Sequence, residues 1–543
     1  LLSIGLSVRA LRQPKAAQRL TLLGLILQLV GLLPTEYFAT LEPLRGLLLL
    51  AVLSGPTGLR ANRGRALIRA WWPYLVVWVL NGIWLVYFYT SGAYISYDLT
   101  AAASPPATAD VLRTFGDALF KAAAYVWVQV IPLTMAAILS PTSIATWGVI
   151  LVSFFVLTFY LGRLSVGALN SSKAGAVPAP EEREHESERR RDGAQALGIG
   201  VAGILLGRLP SFAAGLPLTL QSSFDRLTIS MMFAAALFVA GLLQLLVARP
   251  SVRMYLAAAL VALAVGQQFF NANIFRRDWQ RQQSIYWQLA WRVPDIQPDT
   301  AILTQQMPLD YETDLAMTAA VNWMYASEVK PPHLPLAVVY TEKRLGGVVL
   351  PALEPGVPMR LPLRTMTFLG NTSQVIAIYV PPAGCLRVFD PQLDDAVTYS
   401  RLPETVTAAI PLSDPRRIIG HAEARRLPSP PFSAEPKHEW CYVYEKAELA
   451  RQDRDWSKII RLRAEARENG LEPVDPFEWL PFIEAEGRQD YSAWAANFSL
   501  ELVGAEPKLQ RGLCALWARI ATTESGATRE AAAGMQGRLA CGP

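Results

Sequence analysis

The chain has 543 residues, 52% of them hydrophobic and only 17% charged, which is too apolar for an ordinary water-soluble protein and long enough for two or three domains. Its net charge of +5 divides unevenly: residues 1–270 carry 21 Lys and Arg against 12 Asp and Glu, and the rest carry 29 against 33. The basic excess belongs to membrane flanks, and with no basic groove or aromatic platform in the sequence, nucleic acid is excluded as a partner.

Apolar runs long enough, or nearly so, to cross about 30 Å of hydrocarbon recur near 18–34, 37–54, 71–90, 117–139, 142–162, 195–220, 227–247 and 254–270. Lipid offers no partners to backbone groups, so these runs are predicted to be helices. Residues 1–270 therefore read as a multi-span, all-α membrane domain. Arg9, Arg12, Lys15 and Arg19, then Arg60, Arg63, Arg65 and Arg69, then Arg249 and Arg253 mark cytoplasmic flanks. Strict alternation puts the charged run EEREHESERRRDG outside when counted from the first flank and inside when counted from the last span. A segment 117–139 that does not cross resolves the conflict, because Lys121, Gln129 and Pro132 suit a re-entrant or buried helix. Residues 171–193 then form a cytoplasmic linker. Everything after 271 is extracytoplasmic, in a multi-pass protein of the plasma (inner) membrane. Leu1 opens the sequence with no signal peptide ahead of the first span, so the chain reads as a fragment lacking its start.

The run RRDWQRQQSIYWQLAWRVPD, Arg276 to Asp295, combines Trp279, Tyr286, Trp287 and Trp291 with Arg276, Arg277, Arg281 and Arg292. Placed directly after the last apolar run, it predicts an amphipathic connector over 271–298. Phe275, Trp279, Tyr286 and Trp287 would lie at headgroup depth while Arg276, Arg277 and Arg281 reach lipid phosphates of the bilayer. The alternative is that these arginines grip the phosphate of a lipid-linked substrate, as guanidinium forks can.

Residues 299–430 predict a soluble α/β domain. TAILT (300–304), LAVVYT (336–341), GGVVLPAL (346–353), SQVIAIYV (373–380) and CLRVFD (385–390) have strand composition, and ETDLAMTAAVNWMYA between the first two has helical character. The Pro-rich stretch RRLPSPPFSAEPKHEW reads as a linker. Residues 438–535 read as an α-helical hairpin domain. Asp455-Trp456-Ser457 and Asp490-Tyr491-Ser492 stand 35 residues apart between helix-forming runs, and an Asp475/Glu478 capping box with Pro476 in its first turn opens one of them. This spacing resembles tetratricopeptide-type repeats. The resemblance implies a packing surface for a protein partner and says nothing of catalysis.

No phosphate-binding glycine loop, zinc-protease helix or serine-nucleophile elbow occurs, and the four histidines are scattered. Cys385, Cys441, Cys514 and Cys541 lack C-x-x-C spacing, which leaves two readings: disulfides of an oxidising compartment, or, preferred, four unpaired thiols. The acidic run PLDYETD, with Asp310, Glu312 and Asp314, is a candidate for a divalent cation; a solvated loop and helix start is the plainer reading. Acids on the outer side of the membrane half are Glu36, Asp98 and Asp225, and Asp225 beside Arg226 can act as a general base or hold a metal, an ion pair with Arg226 or a cap on the next helix being the plainer reading.

The layout of many spans and a soluble domain, with YWQLAWRVPDIQPDTAILT running from a juxtamembrane helix into the first strand, resembles the GT-C class of integral membrane glycosyltransferases. That resemblance implies transfer of a sugar or related group from a polyprenyl-phosphate donor on the extracytoplasmic face. The early loop with the signature acid of that class has no counterpart here, so no catalytic residue carries over. By position, the catalytic candidates are Asp225 and Asp98, and the substrate-binding candidates are Arg226, Arg276, Arg277 and Arg281. The competing expectation is a non-catalytic envelope scaffold whose tetratricopeptide-like module binds a protein.

Overall fold

The computed structural model describes residues 1–33, 36–54, 63–91, 108–173, 182–213, 215–220, 225–328, 330, 332–363, 365–394, 402–421, 427–489 and 493–542. Helices dominate. The chain divides into two compact units, Leu1–Phe275 and Arg276–Pro543.

The first unit is helical because its apolar runs leave backbone groups no partner but each other. It comprises α1 (Leu2–Arg12), α2 (Ala17–Leu32), α3 (Glu42–Leu53), α4 (Arg63–Thr90), α5 (Thr108–Phe120), α6 (Val126–Val128), α7 (Val130–Met135), α8 (Pro141–Lys173), α9 (Glu182–Ala213), α10 (Met232–Leu246) and the start of α11 (Pro250–Arg292). Among the described residues five helical stretches are long and apolar enough to cross a membrane: 14–32, 63–88, 141–164, 186–213 and within 250–292. This is a membrane protein. The region of 117–139 is not among the five: α5 passes into a π-helical turn, Lys121–Tyr125, and then into the short α6 and α7. The expected linker 171–193 is helical from Glu182 onward. Its Glu and Arg residues are good helix formers, and Glu186 pairs with Arg190 one turn later at 2.6 Å.

Packing in this unit rests on close approach and on paired charge. A Cβ on Gly200 would meet the backbone of Phe238 at 2.6 Å, and one on Gly241 would meet the Gly193 carbonyl at 2.6 Å, so only glycine lets α9 and α10 approach this closely. Glu42 and Arg45 are buried as an ion pair at 2.7 Å. Gln28 and Trp71 also donate to the Glu42 carboxylate, and Arg45 lies over the Tyr74 ring. The pair is fully bonded, as a buried charge must be.

In the second unit β1 (Thr300–Thr304), β3 (Leu336–Tyr340) and β6 (Val375–Tyr379) form a parallel sheet, closed by the antiparallel β7 (Arg387–Val388), in the order β3-β1-β6-β7. Helix α12 (Asp314–Tyr325) connects β1 to β3. A second sheet takes β2 (His333–Leu334), β5 (Met366–Asn371) and β4 (Pro358–Leu363) in the order β2-β5-β4. The stretch 346–353 is not a strand but a turn-rich segment, with Gly346 at φ +78°, whose Val349 and Leu350 are buried in the core with Ala301 and Leu303. The hairpin β4–β5 takes the place it was expected to fill, and its alternation is muted by Pro358 and Pro362. Short helices α13 (Thr341–Arg344) and α14 (Glu404–Ala409) flank the sheet. The helical remainder is α15 (Trp440–Gln452), α16 (Trp456–Glu468), α17 (Leu480–Arg488), α18 (Ala493–Ala505), α19 (Gln510–Thr523) and α20 (Gly526–Arg538). Of the two repeated tripeptides, Asp455 caps α16 by accepting the Lys458 N–H at 3.0 Å, whereas Asp490-Tyr491-Ser492 lies outside the described residues.

Further expectations change in this unit. Tyr286, Trp287 and Trp291 of the connector do not face outward but are buried in one core with Ile302, Val338 and Ile376, while Phe275 and Trp279 stay exposed. Helical aromatic spacing serves a membrane interface and a protein core equally well, and here the sheet covers it. The expected Pro-rich linker docks on the same core through Leu427 and Phe432, while 433–439 are exposed. Phe432 is 1% exposed, packs edge-on to Tyr286, and its carbonyl accepts the Trp287 Nε1–H at 3.0 Å. Finally, the cysteines are not thiols: Cys385 bonds Cys441 and Cys514 bonds Cys541.

Candidate functional site

One face of α11 carries Gln280, Gln283, Ser284, Trp287, Gln288 and Trp291, at i, i+3, i+4, i+7, i+8 and i+11, which lines them up along the helix. In the second unit this stripe forms a wall of a cleft of about 730 Å³. Phe432 to Ala434 with Pro436 and Lys437, the Cys385–Cys441 disulfide with Trp440 and Glu478, and Gly470 to Glu472 with Val474 line the rest of it. Local bonding fixes each side. Gln288 accepts the Leu386 N–H at 2.6 Å and donates to Ser284 Oγ at 3.0 Å, Gln283 donates to Ser433 Oγ, and Trp291 Nε1 donates to Glu435 at 2.8 Å.

Glu478 is the chemically distinctive group. The expected capping box is half formed: Asp475 accepts the Phe477 N–H at 3.0 Å, but the Glu478 carboxylate does not return to the cap. It accepts the Cys385 N–H at 2.6 Å and the Trp440 Nε1–H at 2.7 Å, and so ties the disulfide loop to α15. Burial pushes its carboxyl up to about 7, against the hydrogen bond from Cys385 and the positive charge of Arg387. Glu445, on α15, is fully buried and held well above the carboxylate range by desolvation. The cleft thus joins amides and hydroxyls that both donate and accept, aromatic edges, and a proton poised near neutral pH.

No protein-family model matches this chain, and no curated protein and no solved structure matches it either.

The positions singled out by sequence fall as follows. Asp225 opens a 3-10 helix, Asp225–Thr228, ahead of α10 in the first unit; it is half-buried, and burial raises its carboxyl while Arg226 opposes the shift. Arg226 is exposed. Asp98 lies outside the described residues. Arg276 and Arg277 are exposed on α11. Arg281 is engaged by protein: its Nη2 donates to the Pro382 carbonyl at 2.7 Å and approaches that of Pro381 at 3.4 Å. The acids of PLDYETD do not converge. Asp314 is buried rather than solvated and takes Arg344 at 2.6 and 3.1 Å, while Glu312 accepts from Gln282. Among the described residues no group of three or more His, Cys, Asp or Glu is arranged to hold a metal. Sequence reading missed the cleft, although the three-and-four spacing of Gln, Ser and Trp on α11 was available to find it.

Proposed function

We propose that this chain is a membrane-anchored binding protein whose second unit works outside the cytoplasm and takes a polar, uncharged, ring-bearing ligand of the saccharide type. The cleft carries this reading: it has the size of a small-molecule site, and its Gln280, Gln283 and Ser284 offer amides and hydroxyl against Trp287 and Trp291. The placement outside the cytoplasm rests on Arg249 and Arg253 before the last span, and on two disulfides, which persist in oxidising compartments. The helices α15 to α20 would add a tetratricopeptide-like surface for a protein partner. The test is titration of the full chain in detergent with neutral oligosaccharides, followed by tryptophan fluorescence. Saturable quenching that is lost in Gln283→Ala and Ser284→Trp supports the reading; no response from the wild-type protein to any neutral saccharide defeats it.

The transfer of a sugar from a polyprenyl-phosphate donor is a second reading, favoured by Asp225 alone: a half-buried carboxyl raised by burial suits a general base. Turnover of such a donor by the wild-type chain, abolished in Asp225→Asn with donor binding kept, would support it; equal turnover in the variant would remove Asp225 from the chemistry.

A further inference from the structure

We propose that the Cys385–Cys441 disulfide is a thiol–disulfide exchange site: a dithiol entering the cleft attacks the Cys441 sulfur, Cys385 leaves, and the pair recloses when an oxidised partner reverses the step. The bond lies in the wall of the cleft, since both cysteines line it together with Gly384 and Trp440. Its two ends are unequally open. Cys385 is 0% exposed and Cys441 is half-buried, so an incoming thiolate meets Cys441. Cys441 is also the second residue of α15, a helix of 13 residues. The positive end of a helix favours a thiolate over a thiol, which suits Cys441 to be released again from a mixed disulfide. The inference does not rest on the saccharide reading of the same cleft, because it stands on the covalent bond and on what surrounds it.

Glu478 makes the exchange reversible. One of its carboxylate oxygens accepts the Cys385 N–H at 2.6 Å, and the other accepts the Nε1–H of Trp440, the residue before Cys441, at 2.7 Å. A single side chain thus holds both segments that carry the sulfurs, through bonds that do not depend on the disulfide. Cys385 and Trp440 also pack in one core with Val443, Phe482 and Ala485. An opened pair therefore stays in place, and a pair held in place reacts at high effective concentration. The electrons balance in two steps. A thiolate of the partner bonds to Cys441 Sγ, the bond between the two cysteines breaks, and Cys385 leaves as a thiolate that takes a proton from water. The partner's second thiolate then attacks the partner's own sulfur in the mixed disulfide, and Cys441 leaves. The partner loses two electrons and becomes a disulfide; the chain gains them as two thiols.

The experiment treats the full chain in a neutral detergent with dithiothreitol or with a reduced Cys-x-x-Cys peptide, then traps thiols by alkylation and locates them by peptide mass spectrometry. Thiols should appear at 385 and 441 while near-ultraviolet circular dichroism is retained, and oxidised dithiothreitol should close the pair again. Reaction with dithiothreitol alone assigns the site to small dithiols, and reaction with the peptide assigns it to a protein segment; both support the exchange. Cys385→Ser, which leaves Cys441 open to the cleft, should form a mixed disulfide with oxidised glutathione, whereas Cys441→Ser should not. Reclosure should slow roughly tenfold or more in Glu478→Ala. Glu478→Gln, which keeps one acceptor oxygen, should lie between that variant and wild type. A wild-type bond that opens only as the protein loses its near-ultraviolet signal is a structural disulfide and overturns the proposal. So does a mixed disulfide formed equally well at Cys385, and reclosure at the wild-type rate in Glu478→Ala overturns the role given to Glu478.

Discussion

Replacing Glu484 with glutamine tests how the helical part of the second unit is held together. Glu484 on α17 is fully buried and accepts from three arginines: Arg451 at 2.5 and 2.9 Å, Arg488 at 2.8 and 3.2 Å, and Arg519 at 3.2 Å. Burial alone would raise its carboxyl. The guanidiniums of Arg451, Arg519 and Arg488 override burial and bring it from 4.5 down to about 2. A depressed carboxyl contributes stability that is present above the unfolded value of 4.5 and lost as pH falls through 2. At 1.36 kcal/mol per unit this comes to roughly 3 kcal/mol. Glutamine keeps the shape and removes the charge, leaving buried guanidiniums without their anion, a change that costs about 3 to 5 kcal/mol. For a unit of this size that is a fall in Tm of roughly 10 °C. The assay is near-ultraviolet circular dichroism on heating the full chain in detergent at pH 7, with hydrogen exchange to assign the loss to α15, α17 and α19. Arg451→Met, which strips a buried partner shared with Glu448, should approach the same loss. Arg519→Met, at a more exposed position, should cost less. A Glu484→Gln protein melting within about 2 °C of wild type would refute the reasoning, since it would mean that the desolvation cost of the cluster cancels its attraction.

Other outcomes follow from the same structure. Glu478 and Glu312 titrate near 7 when folded against 4.5 when free, so the folded chain binds more protons between these values, and stability should fall as pH rises from 4.5 to 7 and level off above it. Acid-to-neutral melting curves of the double variant Glu478→Gln/Glu312→Gln should be flatter than those of wild type. Gly384 has φ +104°, and a Cβ there would meet Glu478 Oε1 at 2.5 Å. Gly384→Ala should therefore destabilise by about 1 to 3 kcal/mol, whereas Gly470→Ala, at φ +64° with open space, should cost only about 1 kcal/mol in urea unfolding. Removing the Cys385–Cys441 bond, which closes 56 residues, by serine substitution should cost about 4 kcal/mol and loosen the cleft, read as faster hydrogen exchange around Trp440.

Much of this architecture is legible in local pattern. TAILT is β1 residue for residue, VIAIY within SQVIAIYV is β6, and the amphipathic run after Thr313 is α12. Five long apolar stretches are helices because lipid permits little else. Local pattern fails where two environments ask for the same residues. Trp287 and Trp291 would suit a headgroup belt, yet they pack on Phe432 and Tyr442. Glu478 satisfies the capping-box spacing and is spent instead on Cys385 and Trp440, more than 30 residues away along the chain.

The sequence by itself determined where the long apolar helices, β1, β6 and α12 fall and that the second half carries most of the charge, because these follow from backbone satisfaction and periodicity within a few turns. Only the tertiary structure decided what each face meets. The four cysteines pair as 385 with 441 and 514 with 541, the arginine at 281 binds protein carbonyls, and a stripe of Gln, Ser and Trp on α11 becomes the wall of a cleft. Those outcomes depend on contacts between residues far apart in the chain, whose burial and electrostatics no local window of sequence contains.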